Sequence, residues 1–208
     1  MRIAIIGTGN VGGAIARGLT GKGHELILGA RDPAKVGALS AETGAQVAPP
    51  AEATKGADIV ILALPWGAAE AAVRDLGDLA GQTVVDCMNP IGRTAAGMGL
   101  TLGHATSGGE IVQGWLPRAH VVKTLNQVGA EIMADTARLP HRPVMFIAGN
   151  EDAAKAKVGQ MLTDLGFEAL DAGDITKARL LEPFGMVWIN QALMRGKGRN
   201  WAFAAVEG

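Results

Sequence analysis

The chain has 208 residues, 48% of them hydrophobic and 19% charged, with a formal net charge of −1. That length supports an apolar core needing no disulfide or metal staple, and the balanced charge gives no ground for nucleic acid or an anionic membrane as partner. The lone Cys87 excludes an internal disulfide, and no cleavable leader precedes the first apolar strand, so a cytoplasmic location is expected.

That strand is the run Ile3–Ile6, which leads straight into Gly7-Thr8-Gly9-Asn10-Val11-Gly12, after which Val11, Ile15 and Leu19 recur at helical spacing. Strand, glycine turn and helix in this order mark a dinucleotide-binding βαβ unit, whereas GxGxxG alone would say little in a chain with 30 glycines. Gly7 permits the tight turn, Gly9 lets the backbone approach a pyrophosphate, and Gly12 lets the helix pack closely on the sheet. The phosphates are expected at the N-terminus of the helix beginning near Asn10, where unpaired N–H groups and the helix dipole favour an anion.

A second strand is read at Glu25–Gly29, and the residues after it discriminate between dinucleotides. Ala30 stands where NAD sites place an acid, Arg31 follows at once, and Lys35 lies within reach if a helix starts near Pro33. NADP(H) is therefore expected, with Arg31 and Lys35 on its 2′-phosphate. The competing reading makes both cations ordinary surface charges and Asp32 a helix N-cap.

Further strands are read near Gln46–Ala48, Asp58–Ala63, Thr83–Asp86, Val121–Lys123, Val144–Ala148 and Glu168–Leu170. The clearest helical segments between and after them are Gly67–Leu76, Glu151–Leu165 and Thr176–Met194, the last kinked or restarted at Pro183. The longest apolar stretch, Ile59–Val73, is broken by Pro65, Gly67 and Glu70 and is too short to span a bilayer. With no linker or repeat, residues 1–208 are expected to form one α/β domain, a doubly wound, mainly parallel sheet of the Rossmann NAD(P)-binding type ending in a long helix. That helix is apolar over more than one stripe, so a homodimer through it and a helix folded wholly into its own domain both remain open. The short basic stretch Arg195, Lys197 and Arg199 reads as its C-terminus.

In such a sheet the ligand lies beyond the carboxyl ends of the strands. Leu64, Pro65 and Trp66 could cover a cofactor's ribose and nicotinamide, although Trp66 could instead close the core beneath the first helix. Pro90 gives a rigid exit from its strand, and Asn89 and Asn126 could hydrogen-bond ribose or carboxamide or simply shape turns. The glycine-rich segment from Gly97 to Gly109 reads as a flexible apolar loop whose Met98 and Leu102 could cover a planar acceptor. His24, His104, His120 and His141 show neither a nucleophile partner nor metal-ligand spacing, so no catalytic acid or base and no metal site are expected.

Taken together, Ile-Gly-Thr-Gly-Asn-Val-Gly, Gly-Ala-Arg-Asp-Pro, Ala-Leu-Pro-Trp, Asp-Cys-Met-Asn-Pro-Ile and Val-Val-Lys-Thr-Leu-Asn resemble the NADP oxidoreductases that use the deazaflavin coenzyme F420. The chain is also similar to the cytosolic reductase domains of six-transmembrane ferric reductases. The resemblance runs from Met1 to about Leu193 and implies that Thr8, Gly9, Asn10 and Val11 bind phosphate, that Arg31 and Lys35 hold the 2′-phosphate, and that Leu64 and Pro65 line the nicotinamide side. Ala30 departs from the family, in which a Ser commonly precedes the Arg, so one phosphate donor is missing.

Hydride transfer from NADPH to a flavin-like ring needs two carbons held about 3 to 3.5 Å apart in a dry pocket, and the cofactors carry the reactivity. The favoured reading is an NADPH-dependent reductase of a deazaflavin, flavin or similar small electron carrier. A hydroxyacid or imino-acid dehydrogenase is the second reading, disfavoured because little chain follows the last strand to form a helical substrate domain. A non-catalytic NADPH-binding sensor is the third.

Overall fold

The computed structural model describes residues 1–95, 97–206 and 208. Its frame is an eight-stranded sheet. In chain order β1 (Arg2–Ile6), α1 (Asn10–Leu19), β2 (Glu25–Gly29), α2 (Gly37–Thr43), β3 (Gln46–Ala48) and α3 (Pro50–Ala53) make the first half. β4 (Ile59–Leu62), α4 (Trp66–Asp75), β5 (Thr83–Asp86), a hairpin of β6 (Ile91–Thr94) and β7 (Gly97–Leu100), α5 (Gly108–Trp115) and β8 (His120–Lys123) continue it. α6 (Ala130–Ala134), β9 (Val144–Gly149), α7 (Asp152–Asp164), β10 (Glu168–Asp171) and α8 (Ala178–Ile189) complete it.

The strand order is β10-β9-β8-β5-β4-β1-β2-β3. Every pairing is parallel except β8 with β9, so β9 and β10 run against the rest. This is the expected doubly wound, mainly parallel Rossmann-type architecture, and the order reverses at β1, between β2 and β4. Both sheet faces are covered, which is why β4 is apolar at every position and β1 is apolar from Ile3 onward. Ile3 and Ile5 of β1 join one cluster with Ile15 and Leu19 of α1 and Val158, Met161 and Leu162 of α7. The alternate residues Ala4 and Ile6 join the opposite cluster with Ala53, Val73 and Val112.

Several expectations need correction. The segment from Gly97 is not a loop throughout, because Ile91–Thr94 pairs antiparallel with Gly97–Leu100 in register Ile91↔Leu100. Glycines and short side chains carry too little apolar pattern for such strands to be read. Helix α8 does not restart at Pro183: it runs unbroken from Ala178 to Ile189 and then widens into a π-turn over Asn190–Met194. The proline is exposed and forgoes one backbone bond, while Leu181, Glu182, Gly185 and Trp188 bury the helix on the inner side. Trp66 does not lie beneath α1. It belongs to the opposite face and stacks on Trp115 with ring centroids 5.6 Å apart. The basic stretch begins at the helix C-terminus, as expected: Arg195 is the C-cap, and the Lys197 N–H closes on the Gln191 carbonyl at 3.0 Å. It opens a tail that folds back, where Arg199 pairs with Glu131 at 2.6 Å and Trp201 stacks on Trp188 at 5.8 Å. Phe203 accepts the Val144 N–H at 2.9 Å.

Candidate active site

At the switch point, β1 hands the chain to α1 through the glycine turn. Gly7 sits at φ +96, and a Cβ there would collide with the Ala63 carbonyl and touch Leu64 Cδ2 at 3.0 Å, so both conformation and space demand glycine. A Cβ on Gly12 would run into the Gly7 carbonyl, which lets α1 start directly against the turn. Gly9 is different. Its φ of −73 suits any residue, and nothing lies within 4 Å of where its Cβ would be. The protein itself therefore asks for no glycine at Gly9, and the bare backbone faces open space where a pyrophosphate would approach. The α1 N-terminus has no side-chain cap and no acidic residue in its first turn, so its N–H groups are presented to an anion. These residues fit a dinucleotide.

From this turn a cleft of about 740 Å³ runs along the carboxyl edge of the sheet. Gly7, Thr8, Arg31, Lys35, Leu64 and Pro65 all line it, together with Pro49–Ala51 after β3 and Ala68, Ala71, Ala72 and Asp75 on α4. Arg31 is exposed and makes no ion pair among the described residues. Lys35 reaches Asp32 only at 3.8 Å and its side chain is 82% exposed. Asp32 does cap the short helical turn Pro33–Val36, accepting the Ala34 N–H at 3.1 Å. Capping fixes the turn that carries Lys35, and both cations line the cleft, Lys35 held only by its long contact with Asp32.

The other strand ends are organised differently. Asn89 donates to the Asn126 carbonyl at 2.8 Å, and Asn126 Nδ2 donates to Asn89 Oδ1 at 2.9 Å and to the Leu181 carbonyl of α8 at 3.0 Å. Gln127 donates to Asn126 Oδ1 at 3.0 Å, so the Asn126 amide is fully engaged and 5% exposed. Pro90 and Trp66 meet around the first turn of α5, both within 3.4 Å of where a Gly108 Cβ would lie. Asn89, Pro90 and Asn126 thus form one bound wall rather than part of the open cleft.

Behind that wall lies a cluster that the reading of the sequence missed. Lys123, at the end of β8, is fully buried, with its ammonium 3.0 Å from Asp86 on β5, 3.0 Å from Glu182 on α8, and on the Met88 carbonyl. Its three protons meet three acceptors. Asp86 Oδ1 accepts the Met88 N–H at 2.8 Å, and the Glu182 carboxylate takes the Gly108 and Gly109 N–H groups at 3.0 Å each, capping α5. Burial alone would push Lys123 down, but the Asp86 and Glu182 carboxylates outweigh it and hold the ammonium above the ordinary lysine range. The available signal was register: Asp86 and Lys123 are direct partners across β5 and β8.

Cys87 is buried, and burial together with Asp86 pushes its thiol well above the usual range, so it stays uncharged. His24 bonds Asp164 at 3.1 Å far from the cleft, and His104 is an exposed residue with φ 52. Among the described residues, no group of three or more His, Cys, Asp or Glu converges to hold a metal. Met98 of the hairpin is 50% exposed. A shallower depression of about 520 Å³ around Glu110, Gln113, His120 and Glu151 contains none of the expected binding residues.

Residues 2–90 match the family model described as NADP oxidoreductase, coenzyme F420-dependent. A crystal structure from Arthrobacter sp. FB24, described as a candidate F420-dependent NADP reductase, is 34% identical, with both chains covered in full and a TM-score of 0.89. The chain belongs to this family. It is accordingly an NADP-dependent oxidoreductase. A hypothetical protein from Sinorhizobium meliloti, SMa0349, is 31% identical over 88% of this chain and 90% of that one, with a TM-score of 0.78. Metalloreductase STEAP3 of Rattus norvegicus is 29% identical over 182 residues, 87% of this chain but 36% of the rat protein. This family member thus spans about a third of that curated relative's length. No helix among its described residues is long and apolar enough to cross a membrane.

Proposed function

We propose that the protein binds NADPH along the carboxyl edge of its sheet and passes hydride to a deazaflavin, with F420 as the first choice and a flavin as the second. The observation that carries this reading is the cleft of about 740 Å³ that unites the glycine turn, the exposed cations Arg31 and Lys35, and the Leu64–Pro65 strand exit. The first turn of α1 holds the pyrophosphate, and Arg31 and Lys35 hold the 2′-phosphate that distinguishes NADPH from NADH. Leu64, Pro65 and Trp66 exclude water on the nicotinamide side, with Asn89 and Pro90 on the adjoining wall and Asn126 fixed behind them. Bound NADPH supplies the hydride, so the protein's task is to place and dry the reacting edge. No side chain is assigned as acid or base.

The proposed setting is cytoplasmic. A homodimer through α8 is supported by Leu180, Val187, Leu193 and Met194, which lie between 43% and 64% exposed along one length of helix. Light scattering on the purified protein measures the assembly, and a monomer would end that part of the proposal.

The functional test is titration with NADPH and NADH, followed by oxidation assays with F420, FMN, a ferric chelate and no acceptor. NADPH-selective turnover with F420 is expected. Turnover with FMN or the chelate alone would keep the reductase and move its acceptor, and NADPH binding without any turnover would favour a sensor. Failure to bind either dinucleotide would overturn the proposal.

A further inference from the structure

We infer that Lys123 and Glu182 are positioning residues for hydride transfer, setting the β5 exit at Met88–Pro90 against α8, next to the β4 exit whose Leu64 and Pro65 line the cleft. This rests on the NADPH reading above. Two polar bridges join the same two segments. Lys123 links the Met88 carbonyl to Glu182, and Asn126 links Asn89 to the carbonyl of Leu181, the residue before Glu182. A third contact presses them together: a Cβ on Gly185 would sit 2.6 Å from the Asn126 carbonyl oxygen and 3.4 Å from Asn89 Nδ2, so α8 seats a glycine directly on the asparagine pair.

The ions are tied to backbone, not to solvent. Lys123, Asp86 and Glu182 are each at most 1% exposed, and between them they satisfy the Met88 N–H and carbonyl and the Gly108 and Gly109 N–H groups. An apolar trio of equal volume would fill the space but leave those four buried groups unpaired, with no directional hold on the strand exit. Asn89 and Pro90 follow Met88 immediately, so any drift of Met88 moves the wall beside the Leu64–Pro65 exit, the side on which the nicotinamide is proposed to lie. A misplacement of about 1 Å at the reacting edge costs on the order of a hundredfold in rate, which makes this the level of the sheet where directional bonding matters most.

Three variants test the inference. Glu182→Gln turns an amide donor toward α5 N–H groups, Lys123→Met frees the Met88 carbonyl, and Gly185→Ala pushes α8 outward without changing charge while favouring helix. Each is measured for NADPH dissociation constant, for the emission maximum of bound NADPH, for kcat with F420 and FMN, and for Tm. Expected are a dissociation constant within about threefold of the parent, a kcat lower by about tenfold or more, and bound-NADPH emission shifted toward that of free NADPH. The emission readout needs no acceptor, and Gly185→Ala serves if the charge variants do not fold. Variants that lose Tm but keep parental emission and kcat would make the cluster merely structural and overturn the inference, as would affinity and kcat falling in proportion. A parent protein that binds no NADPH would instead overturn the underlying functional reading.

Discussion

The cleft and the buried cluster beyond its neighbouring wall use charge in opposite ways. In the cleft the cations are exposed, and Lys35 reaches Asp32 only at 3.8 Å. In the Lys123 cluster the charges are sealed from solvent and spent on the protein's own peptide groups. Exposed cations cost little to keep and can exchange water for a phosphate arriving from solution. Buried ions are costly to desolvate and are retained only where geometry is satisfied in full, so they suit holding a wall still rather than capturing a ligand. On the proposed reading, the exposed cations bind and the buried cluster places.

Removing charge in the cleft and in the buried cluster should separate the two proposed roles. Lys123→Met leaves two buried carboxylates uncompensated and should cost about 3 to 5 kcal/mol, lowering Tm on the order of 10 °C by calorimetry. Arg31→Ala should leave Tm within about 1 °C yet weaken NADPH roughly tenfold or more while sparing NADH, as read by titration of both. Equal loss of both cofactors would remove Arg31 from the 2′-phosphate. Gly9→Ala sharpens the contrast, because the free protein has room for the methyl group: stability should move by less than about 0.5 kcal/mol, while affinity for both dinucleotides drops together.

The smallest effect is expected from a charge pair outside the cleft. Glu110 accepts two hydrogen bonds from Arg179, at 2.8 and 2.6 Å, which hold its carboxyl below the usual glutamate range. A lowered carboxyl stabilises the fold above its unfolded pKa, and that contribution fades as pH falls through the folded value. Because Arg179 is partly exposed, Glu110→Gln should cost under about 1 kcal/mol at pH 7, and the gap in Tm should close below about pH 4.

The central strand Ile59–Leu62 was legible because, covered on both faces, it is apolar throughout. The glycine turn was legible because Gly7 and Gly12 answer a local demand for space. Lys123 was not, since a lysine closing an apolar strand reads as one reaching solvent, and its partner Glu182 lies 59 positions later on α8. The tail escaped for a related reason. Its aromatic contacts with Trp188 and Phe184 are tertiary and leave no periodicity in the chain. The antiparallel course of β9 is likewise set by its neighbours, since both directions need the same apolar residues.

The tryptophans divide into two stacked pairs, Trp66 with Trp115 at 5.6 Å and Trp188 with Trp201 at 5.8 Å, in a chain without tyrosine. Ultraviolet emission thus comes almost wholly from two coupled chromophore pairs, one beside the strand exits and one at the folded-back tail. Energy passed to bound dihydronicotinamide would quench this emission, and unpeeling of the tail would change the Trp188–Trp201 part of it. In Trp201→Phe, the remaining emission would report occupancy with the stacked pair of the tail removed.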